Sequence, residues 1–221
     1  MNKYIENNRR FAMGFSIVGS LVIIAFFFMT NYLTSWSFPW FLYPSFAVIW
    51  WPLSVYLMKP HTAKAYSVIS SLIILAFFSL DNLINSPSCP WMLFTIFPVL
   101  LWPICTFLGR RVLELPAALG LSAMGIAYYI MLNILIFPGF PWTIFPAYVL
   151  LWWPLSVAFA GRGHAMTFSI CGTLLSAALF ISLNVLATPQ TIWAVYPIFA
   201  LAWWPLATYY FVYKPRRLTG R

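Results

Sequence analysis

Apolar residues run along this chain in eight stretches separated by short polar or proline-rich breaks. They are Phe11 to Thr30, Phe41 to Met58, Ala65 to Leu80, Trp91 to Gly109, Val112 to Leu132, Trp142 to Gly161, Met166 to Leu183 and Trp193 to Tyr213. A helix rising about 1.5 Å per residue needs about 20 residues to cross a hydrocarbon core about 30 Å thick, and each stretch is close to that length. The pattern therefore predicts eight transmembrane helices. Lys3, Arg9 and Arg10 before the first stretch give it the look of a secretory leader. Its apolar run is too long for one and lacks a small-x-small cleavage site, so it reads as the first helix.

The stretches are not independent of one another, because a set of residues recurs every 51 positions. Pro52, Pro103, Pro154 and Pro205 keep that interval, as do Trp51, Trp102, Trp153 and Trp204, and Asn31, Asn82, Asn133 and Asn184. Trp40, Trp91, Trp142 and Trp193 form a fourth column, and Ala25, Ala76, Ala127 and Ala178 a fifth. Five residue types in one register without a gap predict four tandem copies of one helical hairpin. Each copy has an odd helix ending near Asn, a short outer loop closing on Trp, and an even helix containing Trp-Pro. The copies span roughly 9–59, 60–110, 111–161 and 162–213, with a basic tail at 214–221, within a single integral membrane domain. The second copy departs most, with Leu101 in place of Trp50, Trp152 and Trp203, and Thr95 in place of Pro44, Pro146 and Pro197.

Composition excludes a soluble surface. Only 7% of residues are charged and 63% are apolar, whereas soluble domains carry about 25% charged residues. The placement of the 12 Lys and Arg is more telling than their number. All lie at the N-terminus (Lys3, Arg9, Arg10), between copies (Lys59, Lys64, Arg110, Arg111, Arg162) or at the C-terminus (Lys214, Arg216, Arg217, Arg221), and none within a copy's outer loop. The positive-inside rule then places both termini in the cytoplasm and gives all four hairpins one direction of travel, in a multi-pass protein of the cell membrane. The net charge of +9 is a cytoplasmic fringe suited to anionic lipid headgroups. Nucleic acid is excluded as a partner by the lack of a folded basic face or binding motif.

Each column has a structural and a functional reading. The outer tryptophans suit the headgroup level as interface anchors, or else face a ligand. At Trp51-Pro52, Trp102-Pro103, Trp153-Pro154 and Trp204-Pro205 the proline removes a backbone donor and leaves the carbonyl four residues back without its partner. Those steps are a structural kink or a lined cavity. Ser54 and Ser156, two residues on, are the nearest hydroxyls for the orphan carbonyl, but Cys105 and Ala207 stand there in the other copies. Small residues recur four apart on the odd helices at Ser16 and Ser20, Ser67 and Ser71, Ala118 and Ser122, and Ser169 and Thr173. Such a stripe marks a helix contact, for which the Trp pair of an even helix is a partner, or a hydroxyl-lined pore. The four asparagines read as left-handed C-caps of the odd helices or, if the hairpins surround an axis, as an outer ring of amides.

No Asp, Glu, Lys, Arg or His lies in the middle of a span, which removes the usual basis for proton relays, voltage sensing and ion coupling. His61 and His164 are loop residues without metal-ligand neighbours, and Cys89, Cys105 and Cys171 have no ligand spacing. No catalytic motif is present, so neither an enzyme nor a cofactor or metal site is expected.

The segments NLINSPSCPWMLFTIFPVLLWP (Asn82 to Pro103) and NILIFPGFPWTIFPAYVLLWWP (Asn133 to Pro154) resemble the bacterial two-transmembrane hairpin domain, which is found in small membrane proteins and in membrane portions of some histidine kinases. Asn133, Pro138, Gly139, Trp142, Pro146 and Trp153 match its pattern of an Asn-ending helix, a proline-glycine turn and an aromatic Trp-x-x-x-Pro segment. Family members carry glycine after the midspan Trp, where this chain has proline. The resemblance implies a hairpin fold in a bacterial membrane and no particular chemistry. The sequence thus predicts an all-α membrane protein of eight spans and four parallel hairpins with approximate fourfold pseudosymmetry, a linear row being the alternative. It predicts a non-enzymatic module that binds lipids, a partner membrane protein or further copies of itself. The alternative is a pore or uncoupled transporter for a small neutral or apolar solute.

Overall fold

In the computed structural model, residues 2–35, 37–57, 62–160 and 163–214 are described. Lys59, His61, Arg162, Arg216, Arg217 and Arg221 lie outside them. Among the described residues there are eight α-helices and no strands: α1 (Asn2–Thr34), α2 (Leu42–Leu57), α3 (Ala63–Asn85), α4 (Leu93–Leu108), α5 (Leu115–Leu135), α6 (Ile144–Phe159), α7 (Ala165–Ala187) and α8 (Val195–Thr208). A 3-10 turn over Gly109–Leu113 follows α4, and a π-helical turn over Tyr209–Tyr213 extends α8. The eight apolar stretches of the sequence correspond to these eight helices, with ends displaced by a few residues.

Six of the helical segments are long and apolar enough to cross a membrane: Arg10–Thr34, Ala63–Asn85, Leu93–Leu113, Leu115–Leu135, Ala165–Ala187 and Val195–Tyr213. The other two, Leu42–Leu57 and Ile144–Phe159, have 16 residues each. At about 1.5 Å per residue those reach about 24 Å. They start later than the sequence suggests because Phe41 and Trp142, the first residues of the expected stretches, lie in the turns before the helices.

The chain forms two compact units, Met1–Ile74 and Leu75–Arg221, divided inside α3. In the first, α1 packs on α2. In the second, α4 packs on α5, α5 on α6, α6 on α7 and α7 on α8, so helices adjacent in sequence are adjacent in space.

The burial pattern is that of a chain solvated by lipid. Ser16, Ser20, Asn31, Ser67, Ser71, Ser122, Ser169 and Asn184 are buried, whereas Phe11, Phe15, Leu33, Ile84, Leu135 and Tyr196 are at least 70% exposed. Apolar side chains gain nothing by leaving hydrocarbon, so helices associate through close packing and hydrogen bonds instead. Small polar residues then face the contacts and large apolar ones face outward.

Glycine admits the closest approaches. A Cβ on Gly19 would lie 2.9 Å from Trp51, and one on Gly172 2.5 Å from Trp204 and 2.8 Å from Trp152. These are the bulky partners expected for the small-residue faces of the odd helices.

Candidate functional site

Pro52, Pro154 and Pro205 lie inside α2, α6 and α8, and Pro103 inside α4. Proline offers no N–H to the carbonyl four residues before it, which in hydrocarbon calls for another donor. For Pro52, Pro154 and Pro205 the donor comes from the odd helix of the same pair. Ser20 Oγ donates to the Val48 carbonyl at 3.3 Å, Ser122 Oγ to Leu150 at 2.8 Å, and Thr173 Oγ1 to Leu201 at 3.4 Å. Val48, Leu150 and Leu201 each precede their proline by four residues. Ser71 occupies the equivalent position on α3 and is buried.

The hydroxyls of the small-residue stripe therefore do more than permit close packing. They fill the hydrogen-bonding gaps opened by the prolines. Ser54, the nearer candidate by sequence, is instead hydrogen-bonded to Tyr66 Oη of α3 at 2.8 Å. At the other end of the stripe, Ser16, Ser67 and Ser169 each donate to a carbonyl three residues back, at Met13, Lys64 and Met166.

The asparagines are not left-handed caps. Among the described residues no non-glycine residue has a positive φ, and Asn31, Asn82, Asn133 and Asn184 all lie within the last helical turns. Each side chain is the pivot of the loop that follows. Its Nδ2 donates to the carbonyls four and seven residues on: Ser35 and Phe38, Ser86 and Cys89, Phe137 and Phe140, Thr188 and Thr191. Its Oδ1 accepts from the backbone N–H ten residues on, at Phe41, Met92, Thr143 and Ala194, between 3.0 and 3.3 Å. Those N–H groups belong to the starts of the even helices, which have free donors. Met92 and Ala194 are N-caps without a side-chain acceptor, so the upstream amide supplies it.

The tryptophans of the fourth column close the same loops. Trp40, Trp91, Trp142 and Trp193 set their rings against Phe27, Phe78, Tyr129 and Phe180, at centroid distances of 6.5, 5.6, 6.1 and 6.2 Å and near edge-to-face. Both members of each pair keep the 51-residue interval. The signal for the second member was present in the sequence, but three phenylalanines and a tyrosine do not stand out among 21 phenylalanines.

Where one helix pair meets the next, the bonds are formed by residues that break the interval. Pro98 of α4 has no counterpart in the other even helices, and it frees the Phe94 carbonyl. Tyr129 of α5 carries the one hydroxyl of its column, and its Oη donates to that carbonyl at 3.0 Å. Tyr128 Oη donates to Leu93 O at 2.7 Å. Tyr148 of α6 and Ser176 of α7 share a bond of 2.9 Å, and their equivalents elsewhere are Phe and Ile or Gly.

A cavity opens where the C-terminal end of α5 meets the start of α6. It measures about 850 Å³ and is walled by Phe94, Tyr129, Phe137, Phe140, Trp142 and Pro146, with Ile136, Pro138 and Gly139 at its edge. The indole Nε1 of Trp142 is buried away from this space and has no partner. Leaving such an N–H unpaired costs about 1–3 kcal/mol. A second cavity of about 360 Å³ lies at the equivalent end of α7 and α8, between Ile181, Val185, Ile192 and Ile198.

Each asparagine bonds within its own helix pair, and the carbonyls before Pro52, Pro154 and Pro205 take their donors from their own pair. Among the described residues no cluster of His, Cys, Asp and Glu suits a metal ion. No known family, curated protein or solved structure matches this chain.

Proposed function

We propose that the chain is a non-enzymatic multi-pass membrane module whose outward faces bind lipids or the helices of a partner. In this reading it comprises four like-oriented hairpins, as the resemblance to the two-transmembrane hairpin domain implies. All eight helices span, including the two of 16 residues, and the hairpins are related by approximate fourfold rotation about the membrane normal. The basic linkers and both termini lie at the cytoplasmic face of a bacterial cell membrane, against anionic headgroups.

One observation carries the reading. The stripe hydroxyls of Ser16, Ser20, Ser67, Ser122, Ser169 and Thr173 and the four asparagine amides are hydrogen-bonded to backbone of their own helix pair, while large apolar side chains face outward. A chain so arranged offers its environment packing surface rather than reactive groups. Binding through such surfaces follows shape and small-residue contacts.

Mass spectrometry of the protein released from native-membrane nanodiscs tests this. Co-purifying lipid or a membrane protein at fixed stoichiometry is expected, and a bare monomer refutes the reading. The conduction alternative rests on the same hydroxyls and amides facing an axis. Liposome flux of ions and small neutral solutes at the empty-vesicle rate is the result expected from the scaffold reading.

A further inference from the structure

We propose that the uncovered face of α8 receives α1 of a second copy of this chain, by the same contact through which α6 receives α7. This deepens the module reading by naming its partner helix. It rests on the like-oriented hairpins of that reading and not on their rotation.

The inference begins with the way one helix pair docks on the next inside the second unit. α7 meets α6 through Phe168, Gly172 and Ser176, which are four apart and so share one face of the helix. The Trp152 ring stands edge-to-face on Phe168 at 6.0 Å, a Cβ on Gly172 would lie 2.8 Å from Trp152, and Ser176 bonds to Tyr148. α5 meets α4 in the same manner one interval earlier. A Cβ on Gly125 would lie 2.5 Å from Phe97, and Gly125 and Phe97 are the equivalents of Ser176 and Tyr148. An even helix thus takes the odd helix that follows it by one set of positions, twice over.

On α8 the same positions are Phe199 and Trp203, and they are uncovered. Phe97 is 8% exposed and Tyr148 and Trp152 are half-buried, whereas Phe199 and Trp203 are 69% and 59% exposed.

α1 carries the complementary half. Phe15, Gly19 and Ile23 stand three intervals before Phe168, Gly172 and Ser176. Phe168 lies between two tryptophans, Trp204 of its own pair at 5.6 Å and Trp152 of the preceding pair at 6.0 Å. Gly172 is likewise pressed by both. Phe15 meets the equivalent of Trp204, its own pair's Trp51, at 5.5 Å, and Gly19 is approached by Trp51 alone. Phe15 nevertheless remains 70% exposed. The ring that α1 lacks is the counterpart of Trp152, and Trp203 of α8 is that counterpart without a helix to press on. The two faces therefore fit each other by the packing already present between α6 and α7. In lipid such fit, and not expulsion from water, selects a partner. Joined this way the contact is heterologous, α8 of one copy on α1 of the next.

The test uses the full chain with Cys89, Cys105 and Cys171 replaced by alanine, co-expressed in two differently tagged forms. One form carries Phe199→Cys and the other Ile23→Cys. Membranes are oxidised with iodine and run on non-reducing SDS gels probed for both tags. A disulfide-linked pair bearing both tags is expected. Tyr148→Cys with Ser176→Cys in one chain, which repeats a contact of the structure, calibrates the reaction. Leu174→Cys in place of Ile23→Cys, exposed on α7 and outside the proposed contact, should not link. Adding Trp203→Ala to the Phe199→Cys form should lower the linked fraction about fivefold. Absence of a two-tag product while the calibrating pair reacts overturns the proposal. So does linkage only within a single chain that carries both cysteines, which places α1 on its own α8. If the proposal fails while lipid or another membrane protein still co-purifies at fixed stoichiometry, the module reading stands.

Discussion

Replacing Ser122 by alanine deprives the Leu150 carbonyl of the donor that stands in for the missing N–H of Pro154. The bond is 2.8 Å long and Ser122 is 2% exposed, so water cannot readily take its place. Side-chain hydrogen bonds between membrane helices average about 0.6 kcal/mol and reach about 1.7. A buried acceptor left unpaired pushes the value to the upper part of that range, giving a loss of about 1.5 kcal/mol for Ser122→Ala. In a Pro154→Ala background the backbone N–H is restored, and the same serine substitution should cost under about 0.5 kcal/mol. The coupling of about 1 kcal/mol is the quantity to measure. Unfolding of the four proteins by SDS in mixed micelles, followed by fluorescence of the 12 tryptophans, supplies it. Equal costs of Ser122→Ala in the two backgrounds would refute the claim that the hydroxyl serves the proline gap.

Other perturbations separate the remaining contacts. Asn184→Leu removes two donated and two accepted bonds from one loop and should destabilise by about 2–4 kcal/mol in the same titration, with loss of a protease-resistant loop between α7 and α8. Gly172→Ala drives a methyl into Trp204 and Trp152 and should lower stability by about 1–3 kcal/mol, whereas Gly14→Ala, with nothing within 4 Å of the new atom, should not lower it. Tyr129→Phe should cost about 1 kcal/mol when Pro98 is present and little in a Pro98→Ala background. Thr173→Val and Ser20→Ala, at 3.4 and 3.3 Å, should each lose less than Ser122→Ala.

The sequence revealed which residues matter more readily than what they touch. Eight apolar stretches became eight helices because length and hydropathy are local properties. The 51-residue interval singled out Asn31 and its equivalents, yet a C-cap was the expectation, because an interval carries no direction. The amide reaches forward four, seven and ten residues, across a loop whose closure only the structure displays. Similarly, the orphan carbonyl before each proline was evident, but its donor was sought two residues away at Ser54. It lies 28 residues upstream, in the stripe read as a packing face.

The central claim is one orientation for all four hairpins, with every helix crossing. Single cysteines at Ser37, Ala63, Leu113 and Gly139, introduced into a chain with Cys89, Cys105 and Cys171 replaced by alanine, test it with a membrane-impermeant maleimide on intact cells. These positions are exposed and leave all basic residues in place. The account predicts labelling of Ser37→Cys and Gly139→Cys from outside, and of Ala63→Cys and Leu113→Cys only after permeabilisation. Labelling of Ala63→Cys or Leu113→Cys on intact cells would contradict it.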